Sequence, residues 1–272
     1  MKRFNLFTNR FILAAAAAAL AAGSALADPK PYAPVDVTFA REVGHDPDLR
    51  ATIERLKDAV EARDISVVDA ALAEDFTVLT CGMDPTQACA AGSKNATPAK
   101  GKTAAERLRA GLCCADLPAK DITDEIRVET ALGLVGAMLA SDAIGANPDI
   151  AGSACLPAWP SYDRAAAAAV AKAADVEPEN LRATAAEVTL RVRAEPGAPE
   201  LARIPARRVA PLVTLGQEGI PPGWTAVALP QGGLGYTQQA AFDDLTAPAL
   251  CFAKAANGWA IKLITQSKDE EE

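Results

Sequence analysis

Hydrophobic positions along the chain change their rhythm three times. A cationic start (Lys2, Arg3, Arg10) gives way to an uninterrupted apolar run over residues 11–22 that closes on Ala25-Leu26-Ala27. Charged, apolar and small-x-small segments in that order predict a secretory leader over residues 1–27, cleaved before Asp28. The run is well short of the ~20 apolar residues needed to cross a bilayer, so no stable membrane insertion is expected after cleavage. Pro29, Pro31 and Pro34 then mark residues 28–45 as an extended arm. Asp46, Pro47 and Asp48 supply an N-cap, a first-turn proline and an acid beside the positive helix end. Leu49, Ile53, Leu56 and Val60 follow as one apolar helical stripe.

Ser66 is the expected cap of a second short helix, and residues 76–80 read as a strand. Residues 82–102, rich in Gly, Pro and Ser, read as a loop. Helices are predicted over 104–112, over 123–139 (Ile126, Ala131, Leu134, Val135 and Met138 on one side) and over the Ala-rich 163–174. From residue 187 the period drops to two: Val188, Leu190 and Val192 alternate with Thr189, Arg191 and Arg193. Strands are expected near 209–215, 224–229 and 235–237, and a last hairpin turns at Asn257-Gly258. The fold class is α+β: a mainly helical region over 46–180, a small β-domain over 186–245, a hairpin over 247–265 and an acidic tail over 266–272.

Charge and cysteine narrow the chemistry. The leader holds three of the 27 Lys and Arg and none of the 35 Asp and Glu, leaving 24 cations against 35 acids, a net −11. So acidic a protein is not expected to bind nucleic acid, which needs cations against its phosphates. All six cysteines (Cys81, Cys89, Cys113, Cys114, Cys155, Cys251) follow the leader. An even number in an exported chain points to disulfides. Cys81 and Cys89 are positioned to close the 82–102 loop. Adjacent Cys113 and Cys114 are expected to reach different partners, because a bridge between neighbours strains the peptide joining them. Cys251 must then pair with residue 155 or earlier, tying the last hairpin to the helical region. No metal or other cofactor is expected: there is no C-x-x-C pair, and His45 is the sole histidine.

The β-region resembles the bacterial SH3-like (SH3b) domain. The resemblance rests on Leu190-Arg191-Val192-Arg193 with the Glu195-Pro196-Gly197 turn, on residues 201–205 and 209–215, on Gly223-Trp224-Thr225-Ala226-Val227, and on Gly235-Tyr236. Thr237 and the Gly- and Pro-bearing stretch 216–222 depart from the family pattern. The resemblance implies a small barrel that recognises cell-wall, peptide or protein partners, with Trp224 and Tyr236 as ligand-binding residues and Arg203, Arg207 and Arg208 as a candidate basic rim. The expected partners are peptidoglycan or a periplasmic protein. Residues 46–80 also resemble the opening of nuclear-transport-factor-2-like domains, which implies helices over a curved sheet and a small-ligand pocket.

Catalysis has few sequence routes. His45 precedes every cysteine, no G-x-S-x-G elbow is present, and one histidine cannot supply a zinc hydrolase. A cell-wall glycosidase using two acids of the N-terminal half is the enzymatic alternative, because such chemistry needs only carboxylates. A non-catalytic envelope protein is the primary expectation.

Overall fold

The computed structural model describes residues 29–40, 42–94, 96–114, 117–214, 219–246 and 248–267. The expected leader and the end of the acidic tail, 268–272, lie outside the described residues. In chain order come α1 (Pro47–Glu61), α2 (Ile65–Ala70), β1 (Leu72–Cys81), β2 (Ala96–Pro98), α3 (Ala104–Leu112), α4 (Asp124–Leu139), β3 (Ser153–Leu156) and α5 (Arg164–Ala174). Among the described residues, nine strands follow: β4 (Leu181–Thr184), β5 (Val188–Arg191), β6 (Glu200–Ile204), β7 (Val209–Val213), β8 (Trp224–Ala228), β9 (Leu234–Gln238), β10 (Phe242–Asp244), β11 (Ala249–Ala255) and β12 (Gly258–Ser267). Among the described residues, no helix is long and apolar enough to cross a membrane.

Helix starts follow local chemistry. Asp46 Oδ1 accepts from the backbone of Asp48 at 3.0 Å and of Leu49 at 3.2 Å, opening α1 where the Asp-Pro-Asp run predicts. The cap of α2 is Asp64 rather than Ser66; its carboxylate accepts from Ser66 N and Oγ, so the serine becomes part of the cap. Thr103 and Glu106 form a reciprocal capping box on α3, and Thr123 caps α4. On α4 the buried stripe is Ala131, Leu132, Val135, Met138 and Leu139, leaving the expected core residue Leu134 exposed at 41%.

The first sheet runs β2-β1-β12-β11-β3, so the final hairpin lies within it rather than apart. β12 pairs with β1 in parallel and with β11 in antiparallel register. The region expected to be mainly helical thus supplies three of its five strands. Helices α1, α3 and α4 cover one face, where Leu49, Leu56, Leu108, Phe76, Phe252 and Ile261 are fully buried. Each such side chain contributes roughly 1.5–3 kcal/mol of burial free energy.

Three disulfides are present. Cys81–Cys89 closes the loop after β1, and Cys155–Cys251 joins neighbouring strands β3 and β11. The third corrects the expectation for the adjacent pair: Cys113 and Cys114 bond to each other. With the other four cysteines paired, each finds its only thiol partner next door. Cys114 meets the tight ring by adopting φ 73°, the left-handed region that side chains rarely occupy.

The second sheet has the order β10-β4-β7-β8-β9-β5-β6. The expected SH3b-like segment contributes six of these strands, yet no ladder among the described residues closes them into a barrel. β4, encoded ahead of that segment, pairs with β7 on one side and β10 on the other, and β6 forms the opposite edge. One face packs Val188, Leu190, Ile204, Leu212, Val227 and Leu229 into a core. On the other face α5 lays Ala167, Val170 and Ala171 against Leu181 and Val209.

The N-terminal arm is extended, and it is tied down along its length. Tyr32 N–H donates to Pro230 O at 2.9 Å, and its hydroxyl to Ala228 O at 2.8 Å. Val37 N–H donates to Arg207 O at 2.9 Å, and Thr38 and Ser161 exchange backbone bonds at 2.8 Å in both directions.

Candidate functional site

The β8–β9 hairpin sets Trp224 opposite Gln238, Ala226 opposite Tyr236 and Ala228 opposite Leu234. Because side chains alternate faces along a strand, Trp224 and Tyr236 project from one face as diagonal neighbours, about 7–8 Å apart at the backbone. The next ladder sets Arg191 of β5 opposite Tyr236, adding a guanidinium to the same face. Arg191 is anchored there by its Nη1 donating to Ala198 O at 2.7 Å.

This face has two halves. Over β7 and β8 it is covered: Ala174 of α5 packs on Val213, Ala226 and Ala228, with Tyr32 and one side of Tyr236 against them. Towards β9, β5 and β6 it opens, and both Tyr236 and Trp224 are half-buried. Trp224 belongs to none of the buried hydrophobic clusters formed by the described residues. The opposite face of the hairpin is core. Thr225 and Thr237 pair across it, both buried, so the departure at residue 237 places a threonine inside. A Cβ on Gly235 would lie 2.9 Å from Leu190 Cβ, which explains glycine beside the tyrosine.

Of the three arginines expected as a basic rim, two are committed to acids. Arg203 on β6 is engaged by Glu200 at 2.7 Å and Glu187 at 3.2 Å. Hydrogen bonds from Arg203 hold the Glu200 carboxyl below its ordinary range, over a weaker opposing effect of burial. Arg208 pairs with Asp36 of the arm. Arg207, at φ 59° in the turn before β7, has no ion-pair partner among the described residues.

In the N-terminal half, several acids are committed to arginine or lysine: Asp69 to Arg109 at 2.6 Å, Asp149 to Arg164 at 2.5 Å, Asp75 to Lys262 and Glu129 to Arg63. His45 is exposed in a single 3-10 turn ahead of α1.

A second concavity was not anticipated from sequence. It has a volume of about 500 Å³ and lies between the first-sheet region and the edge of the second sheet. Phe39, Pro157, Trp159, Pro160 and Phe242 line it, together with Arg207 and Asp243. Its residues come from six separate stretches of chain, so no contiguous motif marks it. The two prolines flanking Trp159 are a local signal of its wall.

Compared with protein-family models, with curated proteins and with solved structures, the chain gives no significant match to any of them.

Proposed function

We propose that this is an exported, non-catalytic recognition protein whose SH3b-like segment, residues 186–245, holds a cell-wall element or a periplasmic protein partner. The observation that carries the reading is the grouping of Trp224, Tyr236 and Arg191 on one sheet face, with both rings half-buried. Half-buried aromatic rings offer broad apolar area at low entropic cost, and a guanidinium beside them adds directed hydrogen bonding. Such anchors dominate the affinity of many recognition surfaces. The three disulfides accord with an oxidising compartment.

The test uses the mature chain in sedimentation with purified peptidoglycan, and immobilised as bait for periplasmic extract. Tyr236→Ala is expected to weaken capture about thirtyfold while circular dichroism stays unchanged. Undiminished capture by folded Tyr236→Ala protein removes this face from the function.

A further inference from the structure

We infer that the groove between the two sheets binds short peptides with free ends, taking the terminal carboxylate at Arg207 and the terminal ammonium at Asp243. This site is separate from the Trp224–Tyr236 face and stands independently of the function proposed for it.

The volume, about 500 Å³, lies within the range of pockets that enclose small ligands. Its walls are stiff. Pro157 and Pro160 fix the backbone on both sides of buried Trp159, while Phe39 comes from the hydrogen-bonded arm. Phe242 is held opposite Thr184 in the β10–β4 ladder. An apolar side chain entering here meets rings and prolines that lose little freedom on contact.

Charge selects the ligand. Neighbouring groups are already neutralised: Arg182 Nε lies 2.8 Å from Asp244 Oδ1, and Arg208 pairs with Asp36. Arg207 and Asp243 are exposed and carry no ion pair among the described residues. They flank β4 from opposite sides. Arg207 N–H donates to Thr184 O at 2.8 Å, and Asp243 stands opposite Ala183. Two strand spacings separate their backbones by about 10 Å. Three extended residues span about the same distance. A purely anionic or purely cationic ligand leaves one of the two charges unmatched. A short zwitterionic peptide satisfies both charges.

The experiment is isothermal titration of the mature chain with Ala-Leu-Ala bearing free termini, and with its N-acetylated, C-amidated and doubly capped forms. Saturable binding of the free peptide at millimolar concentration or below is expected, with each cap weakening it by about tenfold or more. Arg207→Asn suits a left-handed backbone and should erase the difference between free and amidated peptide. Asp243→Asn should erase the difference between free and acetylated peptide. Tyr236→Ala should bind the tripeptide as the wild type does. Any of three results overturns the site: no saturable binding of the free peptide, equal binding of the doubly capped one, or cap effects that persist in the folded groove variants. Loss of tripeptide binding in folded Tyr236→Ala protein likewise overturns it, by moving the ligand to the aromatic face.

Discussion

Cys251 of β11 lies directly opposite Cys155 of β3, and the two are bonded with Cα atoms 4.0 Å apart. The bond links residues 96 positions apart and is buried beneath the first sheet. In the chain-entropy account, closing a loop of that size contributes roughly 4–5 kcal/mol by restricting the unfolded chain. The Cys155→Ala/Cys251→Ala double variant should therefore lose several kcal/mol in urea unfolding. A midpoint within error of wild type would show that the bond adds nothing measurable.

The adjacent pair makes a different prediction. Peptide mapping without reductant should recover Cys113 and Cys114 in one fragment lighter by two hydrogens than its dithiol form. Alkylation of the unfolded, unreduced protein should label no cysteine. A peptide linking either residue to Cys81, Cys89, Cys155 or Cys251 would refute the pairing.

Acid should weaken the fold partly through Asp46. Burial works to raise this carboxyl, but hydrogen bonds from Leu49 N–H, the Lys254 ammonium and Asp48 N–H outweigh it and hold the group below its ordinary range. A folded-state value below the unfolded one stabilises at higher pH, and that contribution is lost as pH falls through the folded value. Asp75, held low by its hydrogen bond from Lys262, acts in the same direction. Urea midpoints should drop as pH falls below about 4, and Asp46→Asn should flatten the drop. A variant with the wild-type pH profile would remove Asp46 from the effect.

Alkali should act through Tyr162, whose hydroxyl donates to Pro85 O at 2.6 Å. Burial pushes this phenol up to about 12. Here the folded value exceeds the unfolded one, so the contribution is complete below about 10 and is lost as pH rises from there towards 12. Tyr162→Phe should therefore lose less stability than wild type over that window. Parallel losses would place the alkaline sensitivity elsewhere.

Gly235→Ala tests how the aromatic face is held. Its new Cβ would meet Leu190 Cβ at 2.9 Å, forcing β9 away from the core at the ladder that aligns Tyr236 with Arg191. A destabilisation of about 1–3 kcal/mol is expected in thermal or urea unfolding. Wild-type stability would mean that Leu190 yields its space freely.

What the sequence discloses is mainly local. Asp46, Thr103 and Thr123 announce their helices because a cap needs only residues two or three positions away. The Asn257-Gly258 hairpin and the shared face of Trp224 and Tyr236 likewise follow from short-range turn chemistry and strand period. Pairing between distant segments leaves no such mark. β4 lies in the gap between the expected helical region, ending at 180, and the expected β-domain, starting at 186, yet it takes the place beside β7 in the second sheet. The groove escapes for the same reason: Phe39, Trp159, Thr184, Arg207 and Phe242 have no common motif and meet only through tertiary packing.

The parallel ladder between β1 and β12 also sets a timetable. Leu79 and Thr80 pair with Thr265 and Gln266, so the first sheet joins an early segment to a much later one. A nascent chain cannot complete the first sheet until β12 has been made. Until then one flank of β1 is an unsatisfied strand edge, with Phe76 and Val78 lacking their later-made neighbours in the core. Contacts of such sequence separation slow folding and prolong exposure to aggregation. An incomplete chain ending before residue 249 should therefore be a client for chaperones rather than a stable fragment.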